Sequence, residues 1–229
     1  MNRVYVFSVP VRVFHWLNVI LVFILIGTGL IMGNPPAIQT GSEASFSYWF
    51  GTTRFIHFAS AYLFTINFLF RMYWMFVGNK YERWRNFVPY SKAHWQDIWK
   101  VIRYDIFLKK DKQHTAIGHN AVAGASYFVL FICMLIIIIT GFALYSNMSN
   151  AWFPSQFNWI TSILGGEIMV RMIHHALMWV FILFTIIHVY LVFFHDYVEG
   201  HGEISSMGGG WKFIEKEFLD NQIEDEPKK

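Results

Sequence analysis

The chain has 229 residues, of which 55% are hydrophobic, 20% aromatic and only 14% charged. So small a charged fraction excludes an ordinary water-soluble domain and points to an integral membrane protein. A net charge of only +3 gives no support to a nucleic-acid partner, and the single cysteine, Cys133, excludes an internal disulfide, a CxxCH haem attachment and a Cys-ligated iron–sulfur cluster.

A helix that crosses the hydrocarbon core needs roughly 20 mostly apolar residues. Four segments meet that requirement, at about 13–33, 54–77, 121–145 and 168–196. Pro10 precedes the first and suits an opening helical turn. This first run is long and no small-residue cleavage site follows it, so it is expected to be a span and not a cleavable signal. Residues 78–118 are polar and aromatic, with an amphipathic surface helix expected near Lys92–Leu108. Beyond Asp196 a mixed, loosely ordered cytoplasmic extension is expected, with "MGGG" as a hinge and residues 211–229 as the cytoplasmic tail. Residues 1–210 are thus read as one membrane domain, and no internal repeat is visible.

Charge placement sets an expected direction. The 78–118 loop carries Lys80, Arg83, Arg85, Lys92, Lys100, Arg103, Lys109, Lys110 and Lys112, whereas 34–53 and 146–167 carry no Lys or Arg. Arg3 and Arg12 lie near the N-terminus, and the tail adds further lysines. The positive-inside rule then places both termini and the basic loop in the cytoplasm, and the two uncharged connections on the periplasmic side of a bacterial inner membrane. Tryptophan and tyrosine suit anchoring at headgroup level, and Trp49, Trp152 and Trp159 in or beside the uncharged connections suit a contact with another subunit.

Of the ten histidines, His94, His114, His119 and His201 lie outside the apolar spans. The others sit within them or at their ends, where an ionisable group is a functional hypothesis by default. His174 and His188 are about 21 Å apart along a helix and differ by about 40° in direction, so they share one face at two depths. His175 points roughly 140° from His188 and is the poorer ligand of the adjacent pair. It is expected to serve the outer interface, and His195 the cytoplasmic exit. The alternating direction of the spans matches His57 in depth with His174, and His15 with His188. Two bis-histidine sites between helices suit two b-type haems in a four-helix bundle. The second ring nitrogen of each ligand can donate to a backbone carbonyl, which sets the tautomer. Gly27, Gly29, Gly124 and Gly141 are candidates for close porphyrin approach. Arg12 and Arg71 on the inner side, and Arg54 and Arg171 on the outer, are candidate partners of haem propionates, with snorkelling at the interface as the alternative. Zinc is the rival metal, but the pairs lie far apart and no carboxylate or thiol joins them.

Several stretches then look familiar: "PVRVFHW" (10–16), "RFIHF" (54–58), "RMYWMFVGNKY" (71–81), "IGHN" (117–120), "ITGFALY" (139–145) and "IIHVY" (186–190). In this order and spacing the chain resembles the b-type cytochrome subunit of membrane-bound nickel–iron hydrogenases, over about residues 4–210. The resemblance implies an all-α integral membrane fold, four core helices with two haem b groups, and His15, His57, His174 and His188 as the axial ligands. It also implies a place in a respiratory chain. Electrons would come from the iron–sulfur cluster of a periplasmic hydrogenase small subunit, which brings its own membrane anchor helix and the large subunit that activates dihydrogen. They would cross both haems to a membrane quinone, menaquinone or ubiquinone. His119, Asn120 and Tyr190 are candidates for the quinone site; helix capping by Asn120 and interface anchoring by Tyr190 are the alternatives. The gamma subunits of formate dehydrogenases share the helix and ligand plan and are the nearest rival. A transporter using histidines for protons or metal is a rival of another class, against which stand the lack of a broken helix pair and of an inverted repeat.

Overall fold

The computed structural model describes residues 2–37, 48–88, 95–96, 98–99, 121–200 and 202–214. In chain order the elements are β1 (Asn2–Tyr5), α1 (Val9–Gly33), α2 (Trp49–Val77), a 3-10 turn (Trp84–Asn86), α3 (Ala121–Ser146), the short α4 (Trp152–Ser155) and α5 (Asn158–Ile163), α6 (Glu167–Glu199), α7 (Glu203–Gly209) and β2 (Trp211–Ile214). Among the described residues four helices, α1, α2, α3 and α6, are long and apolar enough to cross a membrane. They carry large apolar side chains on exposed faces, Ile20, Phe23, Leu63, Ile66, Leu69, Leu183 and Ile186 among them. That arrangement is stable where the surrounding solvent is lipid.

The helices α1 and α2 begin about one turn before the expected spans. Pro10 is the second residue of α1, where a missing N–H costs nothing because early helical donors have no intrahelical acceptor. Helix α1 ends at Gly33, just before Asn34, Pro35 and Pro36, which cannot continue it. Helix α6 opens on Glu167, whose negative charge suits the positive end of the helix dipole. The amphipathic helix expected near Lys92–Leu108 falls largely outside the described residues.

The chain divides into two compact units. The first, the sheet unit, comprises residues 1–13, 71–131 and 185–229. Its strands β1 and β2 pair antiparallel, Asn2 opposite Ile214 and Tyr5 opposite Trp211. Val6, Phe7, Val11 and Ile214 form a buried apolar cluster beneath them, with Trp74, Tyr81 and Met207 packed against it. Two expectations are corrected here. The fold is not wholly α, because residues 211–214 form a strand and do not begin a loose tail. The "MGGG" stretch is not a hinge: Met207, Gly208 and Gly209 close α7. Gly210 caps that helix with φ 86°, and an added Cβ there would lie 2.6 Å from the Phe7 carbonyl oxygen. The reason is backbone pairing between segments distant in sequence, which hydropathy does not register: the amides of Val6 and Phe7 donate to the Gly210 carbonyl at 2.8 and 3.2 Å.

Glu82 ties this unit together from the inside. It is 1% exposed, and its carboxylate accepts from the Ser8 amide (2.5 Å), the Trp74 indole (2.9 Å) and the Asn79 amide (3.3 Å). A buried carboxylate needs such donors to offset lost hydration. Lys212 is also buried and pairs with Glu203 at 2.5 Å.

The second unit comprises residues 14–70 and 132–184. It is all helical among its described residues, and stretches of α1, α2, α3 and α6 enclose one cavity within it. Asn67 on α2 donates to the Phe14 carbonyl of α1 at 3.2 Å. Ala143, Ile160 and Val170 form a buried cluster that joins α3, α5 and α6.

Candidate haem site

The cavity is partly open, and its atom-free space, counted with the solvent at its mouth, is about 1290 Å³. Its walls are mostly apolar, from Val22, Ile26, Phe64, Ile138, Phe142 and Phe181 among others. His57 from α2 and His174 from α6 both line it. The two rings thus share one cavity.

Each ring is held in the same manner. The Nδ1 atom of His57 lies 2.8 Å from the Thr28 hydroxyl, and Nδ1 of His174 lies 3.1 Å from the Thr140 hydroxyl. Both threonines also donate to the carbonyl four residues back, Thr28 to Ile24 at 2.6 Å and Thr140 to Ile136 at 2.8 Å. The next residue in each case is glycine. A Cβ on Gly29 would sit 3.5 Å from Cε1 of His57, and one on Gly141 would sit 3.1 Å from Cε1 of His174. Both imidazoles thus lie against a helix surface without a side chain.

The threonines were missed in reading the sequence, although a signal is there. "ILIGTG" (24–29) in α1 and "IIIITG" (136–141) in α3 agree at four of six positions and share the closing Thr-Gly, while Gly27 stands opposite Ile139. No repeat was expected, because six residues inside apolar runs do not stand out until both threonines meet a histidine.

Other candidates are placed as follows. Arg171 lines the cavity and pairs with Glu167 one turn earlier on α6. Arg54 donates to the sulfur of Met148 at 3.0 Å, and its guanidinium lies 5.9 Å from the Phe58 ring. His175 also lines the cavity, its Cε1 3.4 Å from where a Cβ on Gly33 would stand. The sequence alone assigns it to the outer interface; here it lines the cavity as well, the adjacent His174 pointing about 100° away around α6. Gly27 has open space beside it, and a Cβ on Gly124 would lie 2.5 Å from the Asn86 carbonyl oxygen, so these two are not cavity glycines.

In the sheet unit, Arg71 is 4% exposed, with its guanidinium 5.2 Å from the Phe87 ring and 5.8 Å from Phe131. Arg12 donates to the Gly208 carbonyl. The ring of His188 meets Tyr127 edge-on at 6.4 Å. Tyr190 is 64% exposed and stacks on Phe194; two positions on from His188, it points to nearly the opposite side of α6. His15 belongs to the other unit, half-buried, with its ring edge-on to Trp16 at 5.2 Å. His119 and Asn120 lie outside the described residues.

The residues around the cavity fit haem b. The donors lining the cavity are imidazoles, those of His57 and His174 with His175 also present, and no acidic or thiol side chain lines it; among the described residues no three His, Cys, Asp or Glu side chains converge on a metal position. Structural zinc needs four such ligands, whereas haem iron needs one axial nitrogen from each side and an apolar slot for its macrocycle.

Four membrane-length helices with paired histidines facing an apolar cavity define a membrane cytochrome of the b type. Comparison with known families agrees: the chain belongs to the prokaryotic cytochrome b561 family, whose profile matches residues 6–210. It is 38% identical over 213 residues to a protein of Escherichia coli K12 named a probable Ni/Fe-hydrogenase 1 B-type cytochrome subunit, covering 91% of this chain and 90% of that one. Proteins named probable Ni/Fe-hydrogenase B-type cytochrome subunits in Azotobacter vinelandii and Cupriavidus necator are 36% and 35% identical, over 96% and 91% of this chain and 92% and 86% of their own.

Proposed function

We propose that this chain is the di-haem cytochrome b subunit of a respiratory uptake hydrogenase in a bacterial inner membrane, with both termini in the cytoplasm. The observation that carries the reading is the cavity lined by His57 and His174, each with Nδ1 at a threonine hydroxyl, in a chain similar along nearly its full length to hydrogenase cytochrome subunits. His57 and His174 hold the outer haem, and His15 and His188 the inner one. Bound haem supplies reversible one-electron transfer, which links the iron–sulfur cluster of the hydrogenase small subunit to a membrane quinone.

The protein's own residues bind, orient and exclude water. The apolar walls keep water from the macrocycle slot, and Arg171 at the cavity and Arg54 beside Met148 offer positive charge to the propionates. Arg12 and Arg71 are the inner counterparts. The quinone, menaquinone or ubiquinone, binds at the cytoplasmic side, with His119, Asn120 and Tyr190 as candidate contacts. Uptake of its protons from that side makes the reaction generate membrane potential. The partner is a hydrogenase and not a formate dehydrogenase, a choice supported by the names of the relatives; copurification with hydrogenase small and large subunits decides between them.

The test is a haemochrome assay on the purified chain. About two haem b per chain is expected from two bis-histidine sites, and none would sink the reading. His57→Ala and His174→Ala should each lower the content by one haem. His188→Ala should remove the inner haem and quinone reduction, while dihydrogen oxidation with an artificial dye continues in the partner subunits.

A further inference from the structure

Thr28 and Thr140 occupy equivalent places around the cavity, and the hydrogen-bond directions at each can be worked out. A hydroxyl has one hydrogen to donate. Thr28 spends it on the Ile24 carbonyl at 2.6 Å, and Thr140 on the Ile136 carbonyl at 2.8 Å. The hydroxyl oxygen then faces each imidazole as an acceptor, so the ring Nδ1 must be the donor. A neutral imidazole that carries its hydrogen on Nδ1 has its lone pair on Nε2. Nε2 is therefore the atom each ring offers to a metal.

Threonine commonly bonds back to the carbonyl four residues earlier with no further role. Thr53 and Thr65 of α2 do so here, to Trp49 and Ala61 at 3.0 and 2.8 Å. What sets Thr28 and Thr140 apart is that the same oxygen meets a histidine ring, twice, each time just before a glycine. The glycine after each threonine completes the seat, because the ring occupies space that a side chain would fill. Leu25 and Ile137, Ile26 and Ile138, and Gly29 and Gly141 line the cavity from equivalent positions of the two segments.

We propose that the Thr28–Gly29 and Thr140–Gly141 pairs are two matching positioning devices that fix the tautomer and orientation of His57 and His174 and lower the reduction potential of the haem they hold. This rests on the reading of His57 and His174 as its ligands. An acceptor on Nδ1–H raises the donor strength of Nε2, and a stronger donor favours the ferric over the ferrous state. Neither threonine touches the macrocycle in this role; both act through the histidines.

The test uses the full chain purified with its haems, with redox titration and low-temperature electron paramagnetic resonance as readouts. Thr28→Val, Thr140→Val and the double variant keep the shape and remove the acceptor; Thr28→Ser and Thr140→Ser keep the hydroxyl. Removing the hydrogen-bond partner of a metal-ligating histidine costs about tenfold or more in metal affinity, a loss expected to fall on the ferric state. For a one-electron couple tenfold is about 59 mV, here upward in the double valine variant. The serine variants should return the potential and the resonance signal to those of the parent. Loss of the outer haem with valine but not with serine also supports the proposal. Valine variants with an unchanged potential and signal would overturn it, as would equal damage from valine and serine. Retention of both haems in His57→Ala and His174→Ala would instead strike at the ligand reading itself, whatever the threonine variants do.

Discussion

Gly29 and Gly141 serve corresponding positions, yet they leave different margins. A methyl group at Gly29 would meet the His57 ring at 3.5 Å, an ordinary contact, whereas one at Gly141 would meet the His174 ring at 3.1 Å. The second ring would have to move by a few tenths of an ångström although the neighbouring Nδ1 is tied to Thr140. Overpacking of this kind costs about 1–3 kcal/mol. Gly141→Ala is therefore expected to lower outer-haem occupancy and alter its low-spin resonance signal, and Gly29→Ala to leave both near the parent values. Equal behaviour of the two variants, read by haem content and spectrum, would contradict this account. At this scale the sequence singled out the histidines, two of which, His57 and His174, line the cavity, because a polar ring in an apolar run is costly and conspicuous. It was a poor guide to the threonines, whose hydroxyls are satisfied within their own helix and raise no such flag.

At the scale of elements, the long helices were legible because hydropathy alone defines a span. Their ends were less so: α1 and α2 extend by about a turn into residues with mixed polarity, where capping and packing decide. The β1–β2 ribbon was not legible at all. Its strands are four residues each and stand at opposite ends of the described chain. No local pattern announces such a pairing; register comes from the tertiary cluster of Val6, Phe7, Val11 and Ile214. Ile214 is 4% exposed, and truncating a buried isoleucine to alanine costs about 2–5 kcal/mol. Ile214→Ala should speed hydrogen exchange at the amides of Asn2–Tyr5 and their cleavage by added protease, while the outer haem content stays at the parent level. Unchanged exchange would show that the ribbon does not depend on this packing.

For the whole molecule, direction across the membrane is the property that ties the sites to electron flow. It rests on a sequence asymmetry, lysine and arginine throughout 78–118 and none in 34–53 or 146–167. In a Cys133→Ser background, Asn150→Cys is expected to react with an impermeant thiol reagent in intact spheroplasts, and Lys80→Cys only after permeabilisation. The reverse pattern would invert the assignment of outer and inner haem and, with it, the direction of charge movement.

By itself the sequence determined the number of candidate spans, the basic loop and which histidines lie in apolar runs, since each follows from local hydropathy and the placement of charge. Tertiary structure decided what holds those histidines. Thr28 and His57 are 29 residues apart, and Thr140 and His174 are 34 apart. A hydroxyl that meets a ring nitrogen across two helices depends on how those helices pack, which no periodicity encodes. The same holds for the strand that closes the chain onto its own beginning: backbone groups pair by position in space, and only the folded chain brings them together.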